Sequence, residues 1–334
     1  MSKLVSIVVP AYNAAKRIEA TLLAIAAQDY ENIEIIVVDD GSSDGTGEVA
    51  ENVLRRSGRD FRVIKHESNM GESVARNTGF GVVRGDYVIF FDADDLADPN
   101  FVSALFAAIT QNDCDAAFCG FRVRLEGTGK ERLIPVRLDP LRKYTAEELT
   151  VMYIFKRIRP GVWSTIFKTK FLKTVGLEFT PGCVRGADIE FLTKAIARCG
   201  SIHFSPGCHY IYMQHEDMIS KTTLQTPDKS IRRYVDNAEA TCRAARYLME
   251  YAESPKVRDI AMNFILADGL IKILNAAARQ RDQEKFYRIL HVSETRRVLI
   301  ASLSKSLPRK LDIFRKAVAL LLFPRLYFRM RTIS

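Results

Sequence analysis

Asp86-Tyr87-Val88-Ile89-Phe90-Phe91-Asp92-Ala93-Asp94-Asp95, DYVIFFDADD, runs a β-rich apolar segment straight into three carboxylates within four positions. Like charges this close repel, and a carboxylate leaving water is costly unless a positive group meets it. The segment therefore ends at a solvated strand terminus or at a cation. The neighbouring segments decide between the two.

Three other runs share its character: VSIVVP (5–10), IEIIVVDD (33–40) and FRVIKHE (61–67). Between them lie helical patterns, AAKRIEATLLAIAAQ (14–28), GTGEVAENVLRRS (45–57) and GESVARNTGFGVV (71–83), and a further strand, AFCGFRVRL, follows at 117–125. Alternation of this kind is the signature of an α/β fold with a largely parallel sheet. Strands one, two and four end in Tyr12-Asn13, Asp39-Asp40 and Asp92 to Asp95. In an open α/β sheet the ligand crevice lies beyond the carboxyl ends of the strands, so three clusters far apart in sequence are expected on one edge. No G-x-G-x-x-G follows the first strand, which argues against a dinucleotide-binding dehydrogenase.

Composition fits a globular protein of 334 residues, with 47% hydrophobic and 27% charged residues. Cysteines 114, 119, 183, 199, 208 and 242 show no Cys-x-x-Cys pair, favouring reduced thiols in a cytoplasmic setting over disulfides or zinc. The apolar run 4–10 lacks a small-residue cleavage site and reads as a first strand, and no uninterrupted apolar stretch approaches the ~20 residues of a membrane span. The net charge of +9 is concentrated between Lys305 and Arg331, where eight Lys or Arg face one acid, Asp312. The basic balance therefore belongs to the tail, and nothing points to nucleic acid. An amphipathic basic segment over 305–334 is compatible with an anionic membrane surface at the inner face of the cell membrane, or with a helix packed on its neighbours with its basic face in water. Residues 126–160 read as polar and irregular, with EGTGKER as a loop. A helix is expected near 187–199, a strand near 202–212, and helices over 228–253, 255–280 and 282–303.

Carboxylate oxygens suit Mg²⁺ or Mn²⁺, ions commonly held by one or two carboxylates plus substrate phosphates, and a D-x-D at a strand end supplies that number. Taken alone, D-x-D is weak, since many solvated turns carry it. The ensemble SIVVPAYNAAKRIEA, then VVDDGSSDGT, SNMGESVARNTG and GDYVIFFDADD resembles the nucleotide-sugar half of inverting, non-processive family-2 glycosyltransferases. The resemblance implies a GT-A fold, a UDP-sugar donor and a metal ion. It places Pro10 and Tyr12 beside the uracil, with Asp40 accepting its N–H and Asn69 and Arg76 completing the base and ribose pocket. Asp92 would hold the ribose or the metal, and Asp94 would ligate the metal. Asp95 would orient its neighbours. Each residue also has a plainer reading: Tyr12 as packing, Asp39-Asp40 as a turn initiator, and Arg76 as the partner of Asp40 or Glu72.

A second match lies downstream. RPGVWSTIFKTKFLKTVGLEFTPGCVRGADIEFLTKAI (159–196) resembles the acceptor half, in which Asp188 takes the position of the general base that removes a proton from the acceptor hydroxyl. Helix capping is the plainer reading of Asp188. Ala187 stands where the family usually has Glu, which puts acceptor specificity in question. Residues 210–222 resemble the family's closing loop, with His215 near the metal or phosphates and Ser220 and Lys221 donating to them. No Q-x-x-R-W is present, so the resemblance stops short of the processive synthases. The expected organisation is a GT-A domain over 1–225 (donor side 1–125, acceptor side and loop 126–225), then a helical region over 226–334 that could also self-associate. The acceptor would be a glycan or lipid-linked oligosaccharide hydroxyl. A polyprenyl-phosphate acceptor and a non-catalytic assembly partner are the alternatives.

Overall fold

A computed structural model describes residues 3–139, 142, 144–215, 227–303 and 311–333. The chain divides into two compact units, Met1–Cys183 with Phe191–Leu224, and Val184–Glu190 with Gln225–Ser334. The first is built on one sheet: β1 (Val5–Ala11), β2 (Ile33–Asp39), β3 (Asp60–Lys65), β4 (Tyr87–Phe90), β5 (Leu96–Ala97), β6 (Ala116–Leu125), β7 (Glu131–Ile134), β8 (Thr165–Lys168) and β9 (Ile202–Gln214). Their order is β3-β2-β1-β4-β8-β6-β9-β5, with β7 added to β6. β3, β2, β1 and β4 run parallel, while β8 is antiparallel to both of its neighbours.

Every residue of β1, β2 and β4 is buried, which is why they read as unbroken apolar runs rather than alternating ones. Helices α1 (Ile18–Ala26), α2 (Thr46–Ser57), α3 (Glu72–Gly81) and α4 (Phe101–Gln111) connect and cover them. Gly79 lets α3 lie directly on β1, since a Cβ there would come 2.4 Å from Val8 Cγ1. The two phenylalanines before the acid cluster go to opposite faces, as strand alternation requires. Phe90 packs against Phe179 and Phe191, and Phe91 against Tyr210 and Phe101.

The span expected to be irregular contains structure. EGTGK is the tip of a hairpin, with Leu125 N–H bonded to Lys130 O and β7 paired on β6. Beyond it, α5 (Ala146–Ile154) opens on a capping box between Thr145 and Glu148, each side chain accepting from the other residue's backbone N–H. α6 (Thr169–Val175) follows β8.

The second unit carries the start of α7 (Ala187–Arg198) and then α8 (Pro227–Tyr251), α9 (Pro255–Ile260), a π-helical turn (Ala261–Leu266), α10 (Ala267–Arg279), α11 (Gln283–His291), α12 (Ser293–Ala301), α13 (Leu311–Leu322) and α14 (Pro324–Ile333). The helix expected over 282–303 is thus two, divided at Val292, whose extended backbone breaks the ladder. Among the described residues one helical run, Pro255–Arg279, reaches the length and mean hydropathy of a membrane span, although charged residues interrupt it and 72% of its apolar window is buried inside the protein. It is a core helix of this unit.

Candidate active site

The parallel register brings the three polar clusters together. Ala11 pairs with Asp39, Asp40 N–H donates to Ala11 O at 2.8 Å, and Phe91 N–H donates to Val8 O at 2.8 Å. Pro10 is buried at the end of β1, and Tyr12 just beyond it is half exposed. Asn13 takes a left-handed conformation (φ 49°), accepts from Ser43 N–H through Oδ1 and donates its own N–H to Ser42 Oγ. The DDGS loop is thereby fastened to the end of β1.

Asp40 is 2% exposed and has most of its capacity engaged. Oδ1 accepts from Met70 N–H at 2.9 Å and meets His66 Nδ1 at 2.7 Å, while Oδ2 accepts from Gly71 N–H at 2.8 Å. Of about four acceptor positions on a carboxylate, one is left for a ligand. Asp40 chiefly shapes the loop that carries the exposed Asn69. Gly41 makes this closure feasible, with φ +72° and a Cβ position only 2.5 Å from Ser68 C.

The acid cluster is sorted by its surroundings. Asp92 Oδ1 accepts from Arg76 Nη2 at 2.8 Å. Arg76 is fully buried, pairs also with Glu72 at 2.7 Å, and lies 5.0 Å over the Phe179 ring. It does not line an open base pocket; it clamps Asp92, and its sequence-suggested pairing with Asp40 does not form. Asp95 is 1% exposed, its Oδ2 accepting from Tyr210 O–H at 2.6 Å and Oδ1 from Met213 N–H at 2.7 Å. Burial first, then the Asp92 and Asp94 carboxylates, push its pKa well above the usual carboxylate range. Tyr210 is raised well above its ordinary value by burial and by Asp95 and Asp92. Asp95 is therefore an anchor that ties the acid turn to β9, the strand leading into His215.

His215 is buried beside Asp94. Its Nε2 lies 3.1 Å from Asp94 O and 3.7 Å from Asp94 Oδ2, and Nδ1 lies 3.0 Å from Glu126 Oε2, off the direction of a hydrogen bond. Glu126 is placed by the β6–β9 pairing, through its N–H to Gln214 O at 3.1 Å, and was not identified from the sequence. A histidine that ligates a metal commonly turns its second nitrogen to a carboxylate, and Glu126 stands in that position. Nε2 donates to Asp94 O here, so an ion would have to displace that bond; Asp94 Oδ2 and His215 Nε2, 3.7 Å apart, then have the spacing of roughly 3 to 4 Å expected of two ligands of one small divalent ion. Among the described residues no three Asp, Glu, His or Cys side chains form a ready-made cage, so the remaining ligands would have to come from a bound anion or water. Asp92, with Oδ1 held by Arg76, is less available.

Asp188 lies in the second unit, in the first turn of α7. Gly186 (φ +84°) precedes it, close against Asn237 and Ala240 of α8, and buried Glu190 accepts from Arg243 Nε at 2.9 Å. Ala187 is itself buried. Ser220 and Lys221 lie outside the described residues.

The sequence model of Glycosyl transferase family 2 matches residues 6–171. Curated relatives include the glycosyltransferase EpsJ of Bacillus subtilis (31% identical over 224 residues, 66% of this chain and 64% of EpsJ). The glycosyltransferase GlyG of Streptococcus pneumoniae is 33% identical over 163 residues, 49% of this chain and 52% of GlyG. The succinoglycan biosynthesis protein ExoO of Rhizobium meliloti is 28% identical over 220 residues, 65% of this chain and 62% of ExoO. The chain thus spans about half to two-thirds of these relatives' lengths. Among solved structures, S. aureus TarS 1–349 with UDP-GlcNAc superposes with a TM-score of 0.68 at 21% identity, covering 100% of this chain and 91% of that one. The mannosyltransferase PcManGT of Pyrobaculum calidifontis with GDP-Man and Mn²⁺ gives a TM-score of 0.52 at 18% identity, covering 99% and 83%. Both show the GT-A fold.

Proposed function

The chain belongs to glycosyl transferase family 2, and we propose that it transfers one sugar, with inversion, from a UDP-sugar to a hydroxyl of a cell-surface glycan or lipid-linked oligosaccharide. The observation that carries this reading is the Asp94–His215 pair backed by Glu126 and anchored through Asp95 and Tyr210. A uridine donor is supported by the UDP-GlcNAc and UDP complexes of the fold neighbour TarS, and a metal-assisted reaction by Mn²⁺ in PcManGT. The glycan acceptor is supported by the description of ExoO.

In this reading Pro10, Tyr12 and Asn69 border the base and ribose, and Asp40 and Arg76 hold the walls in place. Asp94 and His215 would hold Mn²⁺ or Mg²⁺, which supplies charge neutralisation to the departing diphosphate. Asp92, oriented by Arg76, faces the ribose. Ser220 and Lys221 would donate to the diphosphate. Asp188 takes the proton of the acceptor hydroxyl as its oxygen bonds to the anomeric carbon and the carbon–oxygen bond to UDP breaks. A carboxylate suffices for that step, so Ala187 leaves the chemistry intact. Substituting Asp188→Asn tests the hydroxyl acceptor: transfer should fall by about 10²-fold or more, with donor binding unchanged. Near-full transfer would contradict it and indicate an acceptor that arrives already ionised, such as a polyprenyl phosphate.

A further inference from the structure

The last two helices fold back on the second unit with one side satisfied and the other apolar and bare. Tyr327 of α14 is buried, with its hydroxyl donating to Asn275 Oδ1 of α10 at 2.7 Å. Phe328 packs on Phe286 of α11 at 5.1 Å and on Tyr287 at 6.5 Å. These contacts fix the roll of α14 about its axis, and therefore which residues face outward. Leu322, Phe323, Leu326 and Met330 are left 57–66% exposed. Four large apolar side chains at the junction of two helices are more than the scattered exposure of a monomer surface.

The spacing sets them in a pattern. Leu322, Leu326 and Met330 succeed one another at four-residue intervals, and within α14 such residues stack on one face. Arg325 and Arg329, both exposed, stand one position earlier and so form the adjoining row about 100° round the helix. No acidic residue follows Asp312 in the sequence, and α14 itself reads PRLYFRMRTI. An apolar row beside a row of a single charge sign suits a continuous anionic sheet, in which the apolar side chains enter the acyl boundary while guanidinium groups reach the phosphates. Along α14 itself every charge is positive, which complements an anionic surface.

We infer that the α13–α14 face formed by Leu322, Phe323, Leu326, Met330, Arg325 and Arg329 binds the surface of an anionic lipid bilayer. This goes beyond the transferase reading and does not depend on it, because binding is measured without nucleotide or acceptor. The test is flotation of the full chain with phosphatidylcholine vesicles containing or lacking about one-third phosphatidylglycerol. Binding is expected to the anionic vesicles only, weakened more than about tenfold by 0.5 M salt. Arg325→Gln with Arg329→Gln should lower partitioning about 25-fold, roughly fivefold per arginine. Leu326→Ser with Met330→Ser should lower it by on the order of tenfold or more. All four positions are exposed, so both double variants should keep the parent's melting temperature, and the two act through different physics. The inference is overturned if the parent stays unbound on anionic vesicles, or if both double variants float as well as the parent. It is equally overturned if the parent is a dimer by light scattering that Leu326→Ser with Met330→Ser splits into monomers, which would make this face an interface between copies.

Discussion

Replacing Tyr210 by Phe removes one oxygen from the anchor under the acid turn, and the structure sets what that should cost. Tyr210 is fully buried, stacked on Trp163 at 4.4 Å and tilted against Phe91 at 4.9 Å, and its hydroxyl is the donor to Asp95 Oδ2. The substitution leaves the ring packing intact, so the transfer contribution is almost unchanged. What remains is a carboxyl oxygen, 1% exposed as a residue, without that donor. Leaving a buried polar group unsatisfied costs about 1–3 kcal/mol. At about 2–4 °C per kcal/mol for a domain of this size, the first unit should melt roughly 2–12 °C lower. The assay is built in: the protein has a single tryptophan, Trp163, and it stacks directly on Tyr210, so its fluorescence follows this unit. Far-UV circular dichroism follows both units and should show the shift in only part of its transition. Because Asp95 also holds Met213 N–H, the loosened anchor should raise the Mn²⁺ concentration needed for activity several-fold at temperatures well below melting. A tryptophan-monitored melt within about 1 °C of the parent, with unchanged Mn²⁺ dependence, would refute the reasoning that Asp95 and Tyr210 position the site.

Three further outcomes are expected. Asp94→Asn should lower transfer by about 10²–10³-fold with little change in melting, since its side chain is 28% exposed, measured by UDP release alongside thermal melts. Glu126→Gln should weaken the apparent affinity for Mn²⁺ by about 10–100-fold through His215, read as a rightward shift of the metal titration with the saturating rate retained. Burial lowers the pKa of both His203 and His209, with Asp98 partly opposing the effect at His209. A depressed histidine stabilises the fold above its unfolded value near 6.5 and loses that contribution as pH falls through the folded one. The first unit should therefore lose stability from about pH 6.5 downward, and His209→Gln should flatten that slope in tryptophan-monitored melts.

The sheet was legible because β1, β2 and β4 are buried on both faces and carry uninterrupted apolar runs, a pattern local sequence displays directly. Their polar ends could be assigned to one edge because parallel strands share a direction. The partners of those ends were not legible. Asp95 meets Tyr210 across 115 positions and His215 meets Glu126 through β6–β9 pairing, so neither contact has a local signature. The resemblance placed Arg76 in the pocket, but its burial beside Asp92 and the Phe179 ring, which with Glu72 offset the cost, has no local signature. α5 did have a sequence signal, the Thr145–Glu148 capping box, masked by the polar character of its surroundings. The tail's amphipathic composition was visible, but its outward face follows only from the inward contacts of Tyr327 and Phe328.

The central claim is that the acid turn after β4 is the diphosphate site of a UDP-sugar transferase. Its most direct test is UDP release from a panel of UDP-, GDP- and CMP-sugars, with Mn²⁺ and with chelator, for the parent and Asp94→Asn. The account predicts slow, Mn²⁺-dependent UDP release from a UDP-sugar, abolished by chelator and lost in the folded variant. Absence of release from every donor, together with absence of UDP binding by calorimetry, would contradict it and leave these carboxylates as a solvated strand end.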